Sequence, residues 1–164
     1  MFVNGLGTAN PTHSYSKAEC WEAFKASAWF RQLDRRAHMI AETVLLKDNG
    51  IASRTLAVAA LSEVFHIDPD TLHGRFLANA PALGSAAGKA ALAEAGLAAD
   101  EIDGLVISTC TGYLCPGLTS YVVERLGLRA DVLAFDLVGQ GCAAALPNWR
   151  LADALLAAGS CRHV

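Results

Sequence analysis

Apolar and polar positions along this chain change their period several times, and each change predicts an element. Residues 2–8 (Phe-Val-Asn-Gly-Leu-Gly-Thr) alternate loosely and stop at Asn10-Pro11, which predicts a short first strand entering a loop. Ser16-Lys17-Ala18-Glu19 is a capping box, because the serine oxygen can accept the amide of the glutamate while the glutamate reaches back. It predicts a helix running to about Phe30. A second helical pattern, Arg35 to Lys47, ends at Asp48-Asn49-Gly50, and Ile51 to Ala57 is expected to be extended. Between residues 58 and 82, Pro69 and Pro81 interrupt a mixed pattern, so irregular helix and loop are expected there.

Periodicity returns at Leu83, with Ala87, Ala90, Ala91, Leu92 and Ala95 on one side and Gly96 as the stop. Leu105 to Thr109 is a short apolar run of the kind that forms a strand covered on both faces, and a loop follows from Cys110 to Gly117. Leu118 to Leu126 predicts a helix closed by Gly127, Val132 to Val138 a second buried strand, and Ala144 to Ala158 another helix. Strand, helix, strand, helix favours an α/β layered sandwich. With 164 residues and no internal repeat or linker, residues 1–164 are expected to form a single domain around one core.

Composition adjusts this picture in three ways. The hydrophobic fraction of 53% is high even with the 14 glycines left out, so part of the apolar surface should face another domain or subunit. The formal net charge of -3, without a block of like charge, argues against nucleic acid as a partner. The N-terminus has no basic segment followed by an apolar one, and no long apolar run occurs, so a soluble, cytoplasmic protein without a membrane partner is expected. Five cysteines in such a chain argue for reduced thiols.

One of them stands out. Asp136-Leu137-Val138-Gly139-Gln140-Gly141-Cys142-Ala143-Ala144 places a cysteine at a strand-to-helix junction, with Gly141 available for a tight turn. Unsatisfied amides and the positive end of the helix dipole would favour the thiolate, the form that attacks acyl carbonyls. A hundredfold gain in thiolate needs about 2.7 kcal/mol, whereas a helix terminus supplies about 0.3 to 1 kcal/mol. A second activating group is therefore required, and no spacing singles out His13, His38, His66, His73 or His163. On these residues alone, Cys142 is open to two readings, a nucleophile or a buried thiol acting as a small hydrophobe. An α/β-hydrolase elbow is disfavoured, because Gln140 and Ala144 stand where it needs glycine. A metal at Cys110 and Cys115 lacks a second matching pair, so none is expected. Cys20 and Cys161 have no activating setting and are assigned to packing.

Gln140-Gly141-Cys142, followed by Ala144 and Arg150-Leu151-Ala152, resembles the active-site segment of type III polyketide synthases, the chalcone and stilbene synthase family. Thr109-Cys110-Thr111-Gly112-Tyr113, Cys115-Pro116-Gly117, Leu126-Gly127-Leu128, Arg75-Phe76, Ala80-Pro81 and Leu83-Gly84 extend the resemblance, which runs from Gly7-Thr8-Ala9 to the end and is closest to bacterial members. It implies a thiolase-like layered sandwich, of which this chain would supply the N-terminal half. It also implies that Cys142 is acylated by a starter acyl-CoA and that malonyl-CoA is decarboxylated and condensed onto it. A histidine and an asparagine that stabilise the enolate would lie beyond Val164, so the chain alone is expected to be inactive.

By resemblance, Cys110, Thr111, Cys115 and Ala143 line the substrate pocket, Lys47 and Arg54 contact CoA, no cofactor is needed beyond the two CoA substrates, and the assembly is a homodimer or a pairing with a complementary C-terminal half. The chain departs from plant members at Ala143, where they have a bulky residue, at Ala145-Leu146-Pro147, where they have a glycine pair, and at Cys115, where they carry a methionine that reaches across the dimer. Pro147 is tolerable only in a first helical turn. The alternatives are a ketoacyl-ACP synthase III-like condensing enzyme and a noncatalytic half-domain that binds acyl-CoA.

Overall fold

The computed structural model describes residues 1–164. The chain divides into two compact units, residues 10–72 and residues 1–9 with 73–164.

In the unit of residues 10–72, strand β1 (His13–Ser16) pairs antiparallel with β2 (Ser53–Leu56). The predicted capping box is present: Ser16 Oγ accepts the Glu19 amide at 3.2 Å, and the Glu19 carboxylate accepts the Ser16 amide at 2.7 Å. The Ser16 hydroxyl, which donates to the Glu19 carboxylate at 2.7 Å, and then the Ser16 amide hold that carboxyl below its usual range. The helix it opens is shorter than expected, because Ser27 turns extended and starts a new cap. Its Oγ accepts from Phe30 N at 3.2 Å, splitting the segment into α1 (Lys17–Ala26) and α2 (Ala28–Arg31). Helix α3 (Arg35–Leu46) is capped by Asp34, and Trp21 packs edge-on against Phe30 with centroids 5.6 Å apart.

The region expected to be irregular is mostly one helix. After a short 3-10 turn at Leu61–Phe65, α4 runs unbroken over Pro69–Ala95. Pro69 sits in the first position, where its missing N–H costs nothing, and Asp68 caps the Thr71 amide at 2.9 Å. Pro81 lies inside the helix and is fully buried; burial of its ring offsets the lost backbone bond, which normally costs about 3 kcal/mol.

In the other unit, the strand expected at residues 2–8 does not form. Gly5 and Gly7 instead lie flat on α4, where a Cβ on either would meet the carbonyls of Ala91 and Ala87, and Leu6 N donates to Glu94 at 2.7 Å. A segment held this closely against a helix has no strand to pair with. Strands β3 (Gly104–Thr109) and β4 (Leu133–Val138) are parallel and in register from Gly104 opposite Leu133 to Thr109 opposite Val138. Between them runs α5 (Leu118–Leu126), and α6 (Ala145–Ala157) follows β4. Leu105 and Ile107 pack on the buried cluster Leu114, Leu118 and Val122, whereas Ser108 reaches α6 through Asn148, so the two helices cover opposite faces of β3. β4 is less covered than the buried strand expected from its sequence. The sheet has only two strands, and Leu133 and Val138 remain exposed.

Candidate active site

Parallel pairing sends the ends of β3 and β4 out at the same edge. The ladder continues past the strands, with Gly139 N donating to Thr109 O at 3.3 Å, so the Cys110–Gly117 loop and the Gly139–Ala144 turn leave the sheet side by side. The carboxyl edge of a parallel sheet is where α/β proteins bind ligands, because loops there are free to vary over a fixed scaffold. Cys142, Ala143, Cys110, Thr111 and Cys115 all emerge at this edge, and all five are exposed.

The turn carrying Cys142 depends on Gly141, whose φ of 70° lies in the left-handed region. Ala144 N then donates to Gly141 O at 3.2 Å and Leu146 N to Ala143 O at 3.0 Å, so the chain winds from the turn into α6. No side chain caps α6, which leaves the positive end of its dipole to the turn that holds the sulfur. Pro147 is the third residue of this helix, inside the first turn as its chemistry requires.

The neighbouring loop is held at both ends. Thr109 Oγ1 donates to Gly112 O, and Gly112 lies so close to the Phe76 ring that a Cβ would overlap it. At the far end, Asp136 of β4 accepts the Thr119 amide at 3.1 Å and the Thr119 hydroxyl. Asp136, Thr119, Asn148 and Ser108 were not foreseen as site residues. An acidic residue inside the apolar run Leu133–Val138 was the signal for the first, since strands disfavour aspartate. Asn148 gave no comparable signal; it sits in the first turn of α6 and its Nδ2 donates to Ser108 Oγ at 3.1 Å.

Lys47 and Arg54 belong to the unit of residues 10–72. Lys47 follows α3 and its carbonyl accepts from Lys17 Nζ at 2.6 Å, while Arg54 lies in β2 opposite Tyr15. Cys20 is half-buried in α1. Cys161 is buried at the opposite, amino end of the sheet, and burial followed by the Asp103 charge pushes its thiol up. His163 is at that end too, its carbonyl accepting from Asp103 N and Gly104 N. Asp103 itself is held down to about 2, first by the hydrogen bond from Arg129 at 2.8 Å and then by the Arg162 and His163 amides. No group of three or more His, Cys, Asp or Glu is placed to hold a metal ion, and no helix is long and apolar enough to cross a membrane.

A sequence model of FAE1/type III polyketide synthase-like proteins matches residues 9–163. The chain belongs to this family. Among curated type III polyketide synthase relatives, 1,3,6,8-tetrahydroxynaphthalene synthase of Streptomyces peucetius subsp. caesius is 31% identical over 144 residues, covering 85% of this chain and 36% of that protein. 3,5-Dihydroxyphenylacetyl-CoA synthase of Streptomyces toyocaensis is 29% identical over 150 residues, covering 88% and 35%. The crystal structure of PKS-I from the brown alga Ectocarpus siliculosus superposes with a TM-score of 0.78 at 26% identity, covering 94% of this chain and 44% of that one. The chain thus has a thiolase-like α/β fold and spans less than half the length of the family members it matches.

Proposed function

We propose that Cys142 is the acyl-accepting nucleophile of a type III polyketide synthase. The observation that carries the reading is the position of its exposed thiol, at the carboxyl edge of a parallel sheet, in a turn held open by left-handed Gly141 at the uncapped start of α6. Family membership supplies the reaction class. In this reading the Cys142 thiolate attacks the thioester carbonyl of a starter acyl-CoA. The new carbon–sulfur bond forms as the old one breaks, and CoA leaves as its thiolate. Malonyl-CoA then loses carbon dioxide, and the resulting acetyl-CoA enolate attacks the acyl-cysteine carbonyl. A carbon–carbon bond forms as the bond to the Cys142 sulfur breaks, which frees the Cys142 thiolate and leaves a β-ketoacyl-CoA.

Cys110, Thr111, Cys115 and Ala143 line the acyl site in this reading, and Lys47 and Arg54 meet the CoA phosphates. No cofactor takes part, the reaction is cytoplasmic, and a second copy or a complementary C-terminal half completes the pocket. Condensation needs donors aimed at the enolate oxygen, and each such donor is commonly worth about 2.7 to 4 kcal/mol. For residues 1–164 alone the reading therefore predicts acylation without turnover.

The test is to incubate the chain with hexanoyl-CoA and malonyl-CoA, with and without a separately expressed C-terminal half of a family member. Acyl-Cys142 in both samples and polyketide only in the second is the expected result. Condensation by the chain alone would contradict the division of labour, and acylation absent from Cys142 would contradict the nucleophile.

A further inference from the structure

Asp136 occupies a position that a strand residue of its kind rarely takes. The run Leu133-Ala134-Phe135-Asp136-Leu137-Val138 is apolar except for it, and its register partner is Ile107, which packs on the Leu114, Leu118 and Val122 cluster. Partners in register share a face, so the carboxylate points to the side covered by α5. There it meets the N-terminus of that helix. The N-cap position of α5 is Gly117, which has no side chain to cap the first amides. Asp136 supplies the missing acceptor from the neighbouring strand, taking the Thr119 amide on Oδ1 and the Thr119 hydroxyl on Oδ2. Thr119 is buried, and a Cβ at Gly117 would overlap the carboxylate. Strand acid, capless glycine and buried threonine therefore form one interlocked unit, in which each residue accounts for the other two.

The consequence lies at the site. The Cys110–Gly117 loop begins at Thr109, fixed by pairing to β4, and ends at Gly117, fixed by Asp136. The strand that carries Asp136 is the one that leads into the Cys142 turn. We infer that Asp136 is a positioning residue that sets where the Cys110–Gly117 loop stands beside Cys142, and so governs the size of group that reaches the sulfur. The inference deepens the nucleophile reading above and rests on it.

The test uses the full chain with Asp136→Asn, Asp136→Ala and the double variant Asp136→Ala with Gly117→Ser. The added serine restores a local cap to α5, in space the carboxylate has vacated, but it does not restore the tie to β4. Three quantities are measured: the melting temperature, amide exchange over residues 110–120, and the ratio of Cys142 alkylation rates with N-methylmaleimide and N-dodecylmaleimide. Loss of the anchor is expected to speed exchange and to shift the alkylation ratio severalfold. In the double variant the melting temperature should recover while the ratio stays shifted. Recovery of both together would reduce Asp136 to a helix cap and overturn the inference, as would an unmoved ratio in Asp136→Ala. The alkylation ratio involves no acyl-CoA. Failure of hexanoyl-CoA to label Cys142 in the unsubstituted chain would therefore count against the nucleophile reading, while the ratio still decides the loop.

Discussion

At the amino end of the β3–β4 sheet the fastening is done by a cluster of ion pairs, whereas at the carboxyl end it is shared between backbone turns and the Asp136–Thr119 bonds and leaves thiols exposed. Arg129 spans the amino end, donating to the Asp100 carbonyl at 2.7 Å, to Asp103 at 2.8 Å and to Asp131 at 3.0 Å. Asp103 uses its other oxygen to hold the Arg162 and His163 amides. The thiol at this end, Cys161, is buried and pushed away from ionisation. At the carboxyl end, Gly139 and Gly141 have positive φ, no side chain caps α6, and Cys110, Cys115 and Cys142 are exposed. One scaffold thus buries a thiol at the end where ion pairs close the fold and exposes three at the other, and the two ends should respond to different perturbations.

The largest effect is expected from Cys142→Ala, which should remove acyl labelling from the carboxyl end entirely while leaving the melting temperature close to that of the unsubstituted chain. Labelling that moved to Cys110 or Cys115, read by peptide mass spectrometry, would show that the edge is right and the thiol is wrong. Gly141→Ala comes next. A side chain in the left-handed region costs about 1 to 2 kcal/mol, so urea denaturation should show that loss and acylation should slow as the sulfur shifts from its turn. Equal stability and equal acylation would show that the turn has another solution.

A smaller effect is expected at the amino end, and it depends on pH. Asp103 is held down to about 2 from 3.8 by Arg129 and by two amides, so its contribution to stability is fully present above about pH 4 and is lost as the pH falls toward 2. Asp103→Asn should flatten the melting temperature between pH 4 and pH 2 without changing Cys142 alkylation at pH 7. The smallest change in stability belongs to Ala143→Phe at an exposed position, which should alter the relative acylation by short and long acyl-CoAs and little else.

Much of this division was legible in the sequence. The capping box at Ser16, the helix stops at Gly96 and Gly127, both parallel strands and the glycine before Cys142 all follow from local chemistry, and local chemistry decided them in the fold. The failures share a cause. Residues 2–8 alternate as a strand does, but no partner strand lies beside them, and two glycines let the segment press onto α4 instead. Pro81 signals a break, yet tertiary burial carries the helix through it. Asp136 was overlooked because its role exists only when Gly117 and Thr119, distant in sequence, arrive at the same corner of the sheet. Pairwise geometry of this kind has no period for a linear pattern to show.

The most direct measurement is a competition among the chain's five thiols for a limiting amount of hexanoyl-CoA, quantified for each cysteine by peptide mass spectrometry. The contrast between the two ends predicts acyl label concentrated on Cys142, with Cys161 unlabelled until the chain is denatured. Label spread over the exposed cysteines in proportion to their accessibility, or concentrated on any thiol other than Cys142, would contradict it.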